Sequence, residues 1–163
     1  MIHINWMVYG DNDVVSDELK PLCERFTNPI PIFTKIEYNF PENCHIKSIV
    51  RGNLEDLVWT GNGFVHTPSP TTLRCCNNTG VSCDGNSPFL PVDHTLAFIK
   101  HYTTKTANEY CNKMLRGFPD QKWDGSLVKY LIETRFFRTN KITQEKIDIF
   151  KNRLGIDMNY LLK

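Results

Sequence analysis

The order of segment types constrains this 163-residue chain more than any single motif: strand-like stretches come first and capped helices come last. "MIHINWMVYG" is apolar and β-rich from its first residues and reads as a buried strand, closed by Gly10 and the polar run after it. "HIKSIVRG" predicts a second strand from Ile46 to Val50, ended by Gly52, and "TLAFIKHY" predicts a third. Between them, "SDELKPLCERF" has short helical character broken at Pro21, and "NPIPIF" must be extended or a turn. "GNGFVHTPSP" is a short extended piece running up to Pro68 and Pro70. Residues Thr71 to Pro91 are rich in Gly, Asn, Ser, Pro and Cys and read as a long loop with room for a hairpin.

The second half changes period. Thr106-Ala-Asn-Glu109 is a capping box, in which the threonine caps a helix start and the glutamate reaches back to it. Tyr110 and Met114 share one face of that helix, as do Cys111 and Leu115, and Gly117 and Pro119 stop it. "SLVKYLIETRFF" predicts a second helix. Thr143 caps a last one, with Ile142 and Ile147 as a hydrophobic staple, Ile147, Phe150 and Leu154 as the apolar stripe and Gly155 as the stop. Strands first and helices last imply one α/β or α+β domain, a short mixed sheet followed by C-terminal helices.

Composition narrows the partners. A net charge of +1 without an arginine-rich stripe argues against nucleic acid and against a strong electrostatic pull to membranes. No apolar run has the length of a membrane span and the N-terminus lacks signal-peptide form, so a cytoplasmic location, extending to the inner face of a membrane, is the expectation. The six cysteines are then expected as reduced thiols. A zinc site from Cys75, Cys76, Cys83 and His66 is the less favoured alternative, because the paired C-x-x-C spacing is missing. Asn77-Asn78-Thr79 matches a glycosylation sequon, which matters only in a secreted chain.

Three places could carry chemistry. Asp11-Asn12-Asp13 follows a buried strand and offers two carboxylates to Mg²⁺ or Mn²⁺, but Asp and Asn after a glycine also make an ordinary turn, the favoured reading. His101 stands at a strand end before a capped helix, where it serves either as a metal or phosphate partner or as a histidine satisfied by backbone. Lys105 and the free amides of the next helix start suit an anion; Arg116 at the helix end suits the dipole with or without a ligand, and Lys47 lies mid-strand. Trp6, Tyr9, Trp59, Tyr102 and Trp123 are scattered aromatics that include candidates for sugar stacking. No P-loop, G-x-G-x-x-G or Ser/His/Asp order is present.

In this order, "INWMVYGDN", "HIKSIVR", "GFVHTP" and "IKHYTTKTANEYCNKMLRG" resemble the second half of bacterial GT-A glycosyltransferases related to families 2 and 92. There an "NW…FG" strand precedes "H-x-K-S-I-V", an "H-F-x-H"-like element and an "N-H-Y-x-T-K-S" that leads into a helix ending in "R-G". The resemblance spans roughly Ile2 to Asp120, leaving 121–163 as a helical tail. It implies a GT-A-like α/β fold and metal-assisted transfer of a hexose from a nucleotide-sugar, such as a UDP-sugar, to a saccharide acceptor. The family's metal-binding D-x-D belongs to an N-terminal nucleotide-binding half, so 1–163 is expected to be a single domain forming the C-terminal part of a larger catalytic domain. The resemblance sets Asp11 and Asp13 in the loop after the strand, not at the metal.

Residue by residue, the resemblance gives Asn5, Trp6, Lys47, His66, Tyr102, Lys105 and Arg116 to substrate and His101 to a divalent metal (Mn²⁺ or Mg²⁺) or diphosphate. Gly63 stands where the family has the first histidine of its "H-F-x-H", and Lys100 where it has the asparagine of "N-H-Y". No residue matches a catalytic base. The competing expectation is a non-catalytic carbohydrate-binding or interaction domain that self-associates through an exposed sheet or apolar face.

Overall fold

A strand satisfies its backbone groups by pairing along its edges, and the β-rich opening segment pairs along both. In the computed structural model, which describes residues 1–15, 19–30, 42–52, 75–83, 92–117 and 124–163, it forms β1 (Ile2–Val8). The described chain divides into two compact units, 1–8 with 30–101 and 9–29 with 102–163. Residues 124–163 pack with 102–117 because their apolar stripes share one core.

In the first unit, β1 pairs antiparallel with β2 (Ile46–Ile49), Ile2 opposite Ile49 and Asn5 opposite Ile46. It pairs parallel with β3 (Cys75–Cys76) at Ile2 and with β5 (Ile99–His101), where Trp6 faces Ile99 and Val8 faces His101. The sheet is thus small and mixed, as the strand-then-helix order implied. β3 and β4 (Ser82–Cys83) form an antiparallel hairpin inside the Gly- and Asn-rich segment. Its turn is built by Asn77, whose Oδ1 accepts from the amides of Thr79 and Val81, and by Gly80 at φ 85°.

In the second unit, a short helix α1 (Leu22–Arg25) follows Pro21, and helix α2 (Ala107–Arg116) starts at the capping box: Glu109 N–H donates to Thr106 Oγ1, and Thr106 N–H donates to Glu109 Oε2. It ends at Gly117, φ 76°. α3 (Gly125–Leu131), capped by Asp124, runs on through a π-helical turn (Ile132–Phe136) into α4 (Phe137–Thr139). The single predicted helix thus contains a wider turn, and Tyr110 Oη donates to the Leu131 carbonyl where that turn begins. α5 (Gln144–Leu154) is capped by Thr143 and closed by Gly155 in the left-handed conformation.

Ala107, Tyr110, Cys111 and Met114 of α2 meet Val128, Leu131, Ile132 and Phe136 and the Ile147–Phe150–Leu154 stripe. Tyr110, Phe136, Phe137 and Phe150 pack edge-on or tilted, Phe136 to Phe150 at 4.9 Å between centroids. Leu115, placed by spacing on the face of Cys111, is instead 53% exposed, since the stripe that reaches the core is Ala107–Tyr110–Cys111–Met114. No helix among the described residues is long and apolar enough to cross a membrane.

Candidate functional site

Side chains alternate across a strand, so Trp6 and Asn5 point to opposite faces of β1. Register brings Lys47 and His101 to the Trp6 face. The residue before β2 and the last residue of β5 each supply an imidazole to the indole: His45 stacks at 4.8 Å and His101 at 3.7 Å between ring centroids, both within 26° of parallel. Two imidazoles cannot share one indole face at those distances, so they sandwich it. Lys47 Nζ lies 5.7 Å from the ring centroid, a cation–π contact, and burial lowers its pKa below 10.5. Trp6 therefore has both faces covered, which removes it as a sugar-stacking platform.

Asn5 is engaged by the fold. It is 2% exposed, its Nδ2 donates to the Asn43 and Cys44 carbonyls and its Oδ1 accepts from the Asp93 amide. Its amide holds the segment before β2 and the segment before β5 against β1, a role for which the residue type gave no sign. His66 lies outside the described residues, as do Trp59 and Trp123.

In the second unit, Tyr102, Lys105 and Arg116 come together. They line one cleft of about 410 Å³ with Thr103, Thr104, Glu109, Asn112 and Lys113. The chain turns into this cleft at Lys105, whose φ of 57° lies in the left-handed region. α2 then carries Asn112, Lys113 and Arg116 along one flank. Tyr102 is fixed by its ring, which packs on Tyr9 at 5.2 Å and Phe26 at 6.0 Å. Burial raises its hydroxyl pKa above 10.

The one carboxylate among the cleft's described residues is committed elsewhere. Glu109 receives both guanidinium branches of Arg25, at 2.9 and 3.1 Å, as well as the Thr106 amide and hydroxyl. Burial alone would raise its pKa, but these hydrogen bonds and the Arg25 charge outweigh burial and hold it below 4.5. Lys113 Nζ donates to the Thr103 carbonyl at 3.2 Å and lies 5.6 Å from the Tyr110 ring centroid. Burial first, then repulsion from Arg135, Lys105 and Arg116, pull the Lys113 pKa below 10.5. Lys113 and Arg135 were missed by sequence reading. The i, i+3 spacing of Lys113 and Arg116 was available as a signal; Arg135, on the π-helical turn, gave none.

The D-x-D segment is a turn. Asp11 Oδ1 accepts from Asp13 N–H, Asn12 and Asp13 have φ of 51° and 60°, and Asp11 is ion-paired to buried Lys146 at 2.7 Å. An internal ammonium thus holds the place that a divalent ion would need. Cys75 and Cys76 stand on successive strand positions, pointing to opposite faces and outside any disulfide, and Cys76 Sγ donates to the Met1 carbonyl. Cys23, Cys44 and Cys111 likewise form no disulfide. Among the described residues no group of three His, Cys, Asp or Glu could hold a metal ion; His66 and the Cys83 side chain lie outside them. No family profile matches the chain, and no curated protein or solved structure is significantly similar to it.

Proposed function

We propose that this chain is the C-terminal portion of a GT-A-type glycosyltransferase that transfers a hexose from a nucleotide-sugar to a saccharide acceptor. The observation that carries the reading is the gathering of Tyr102, Lys105 and Arg116 in one cleft at the start of a capped helix. They come from the one segment, "IKHYTTKTANEYCNKMLRG", whose resemblance to the family is most detailed. A nucleoside diphosphate carries its charge where lysine and arginine donors favour it.

His101, the residue this reading gives to a metal-bound diphosphate, is held by its stack on Trp6. The divalent ion belongs to the proposal as a companion of the donor; no chemical step is assigned to it. Lys105 and Arg116 would offset the charge of the departing diphosphate, a stabilisation that grows as the glycosidic bond breaks. Calorimetric titration of UDP-hexoses in the presence of Mn²⁺ tests the proposal. Saturable binding supports it, and the absence of heat with every sugar nucleotide would remove the donor site from this chain.

A second reading, an interaction domain, draws on Ile2 and Ile49. They are cross-strand partners on the Trp6 face and remain 42% and 58% exposed. Sedimentation velocity separates it from the first: concentration-dependent self-association that Ile49→Lys abolishes favours it, and a monomer at all concentrations rejects it.

A further inference from the structure

We infer that the cleft of Tyr102, Lys105, Lys113 and Arg116 is a diphosphate site in which protein cations carry the recognition, so that binding persists when divalent ions are chelated. The inference deepens the donor reading of the same cleft. It stands on charge that the fold leaves uncompensated. Lys105, Lys113 and Arg116 line the cleft, and Arg135 on the π-helical turn acts on Lys113 from beside it. None of these four cations has a carboxylate partner among the described residues.

Surface cations of globular proteins are ordinarily interspersed with acids. Here the single acid among the cleft's described residues is turned to the helix cap and neutralised by Arg25. The fold thus concentrates positive charge in a recess of about 410 Å³ and removes the nearest negative one. Burial of Lys113 adds a desolvation cost, which a bound anion would relieve. The Lys105 backbone is also held at a left-handed φ that a non-glycine residue adopts at some cost.

A single phosphate would meet one or two of these donors. Cations contributed by the loop at Lys105 and by two positions one turn apart on α2 suit two linked phosphoryl groups instead. Thr103, Thr104 and Asn112 supply neutral hydrogen-bonding groups along the same wall.

The test titrates inorganic pyrophosphate, inorganic phosphate and a UDP-hexose into the full chain in EDTA, with parallel titrations of Arg116→Gln and Lys113→Gln. Arg116 is exposed at the end of its helix, so its variant keeps the fold; thermal melting checks Lys113→Gln. The inference predicts one pyrophosphate per chain, bound more tightly than phosphate and about tenfold more weakly in each variant. Pyrophosphate binding in EDTA, with no UDP-hexose binding even after Mn²⁺ is supplied, would uphold the inference and reject the glycosyltransferase reading. Failure of pyrophosphate to bind in EDTA, or equal affinity in wild type and both variants, would overturn the inference, and UDP-hexose binding with Mn²⁺ would still leave the functional reading standing.

Discussion

Lys146 and Asp11 form a closed ion pair: ammonium and carboxylate are 2.7 Å apart, with side chains 1% and 2% exposed. Lys146 sits in the first turn of α5, where the helix dipole disfavours a cation, and Asp11 in the turn after β1 supplies the compensating charge. Asp13 at 3.4 Å and the Lys141 carbonyl at 3.1 Å complete the ammonium's partners. Removing one member leaves a buried charge alone. Lys146→Met is expected to cost about 3–5 kcal/mol in urea denaturation, and adding Asp11→Asn to it should recover most of the loss. A single-variant cost below about 1 kcal/mol would show that the pair holds nothing together.

Acid should weaken the second unit through Glu109. Its folded pKa lies below the unfolded 4.5, so its contribution is present above that value and is lost as pH falls through the lower, folded one. Glu109→Gln removes this dependence. The stability difference between wild type and variant, on the order of 1–2 kcal/mol at neutral pH, should shrink on acidification below 4.5. A difference that stays constant across that range would exclude Glu109 as its source.

Gly10 ends β1 where a side chain has no room. A β-carbon there would strike the Thr139 carbonyl oxygen and lie 2.9 Å from Asn140 Oδ1, the atom that accepts the Asp11 amide. Gly10→Ala should therefore lower stability by about 1–3 kcal/mol, measured by thermal or urea unfolding. An unchanged midpoint would show that the turn yields easily.

Lys113 links the cleft to pH. Its pKa is depressed in the free protein, and a bound anion favours its charged form. Anion binding in the alkaline range should then take up protons, and affinity should fall as pH rises through the depressed pKa. Calorimetry in buffers of different ionisation heat measures the uptake. Lys113→Gln should abolish it, and equal uptake in the variant would place the proton elsewhere.

Much of the second unit was legible because its signals are local. The capping box, Gly117, the Thr143 cap, the Ile147–Phe150–Leu154 stripe and Gly155 each act within a turn or two of helix, and each is found where its residues put it. Strands β1, β2 and β5 were legible as apolar runs bounded by breakers. Pairing partners were not. Which residue faces Trp6 depends on register between segments tens of residues apart, so the sandwich by His45 and His101 and the closing of both indole faces came only from the fold. The same holds for Asn5, whose buried amide is satisfied by backbone 38 and 88 residues away. In the cleft, Lys105 and Arg116 were readable from a helix start and a helix end. The pairing of Glu109 with Arg25 was not, although it is what leaves the cleft positive.

Competition between pyrophosphate and a UDP-hexose tests most directly whether the Lys105–Lys113–Arg116 cleft receives a sugar nucleotide. UDP-hexose is titrated calorimetrically with Mn²⁺ present, first into free protein and then into protein saturated with pyrophosphate. The predicted result is saturable binding to the free chain that pyrophosphate suppresses. UDP-hexose binding that is unchanged by pyrophosphate would put the donor elsewhere, and no binding in either titration would contradict the donor site altogether.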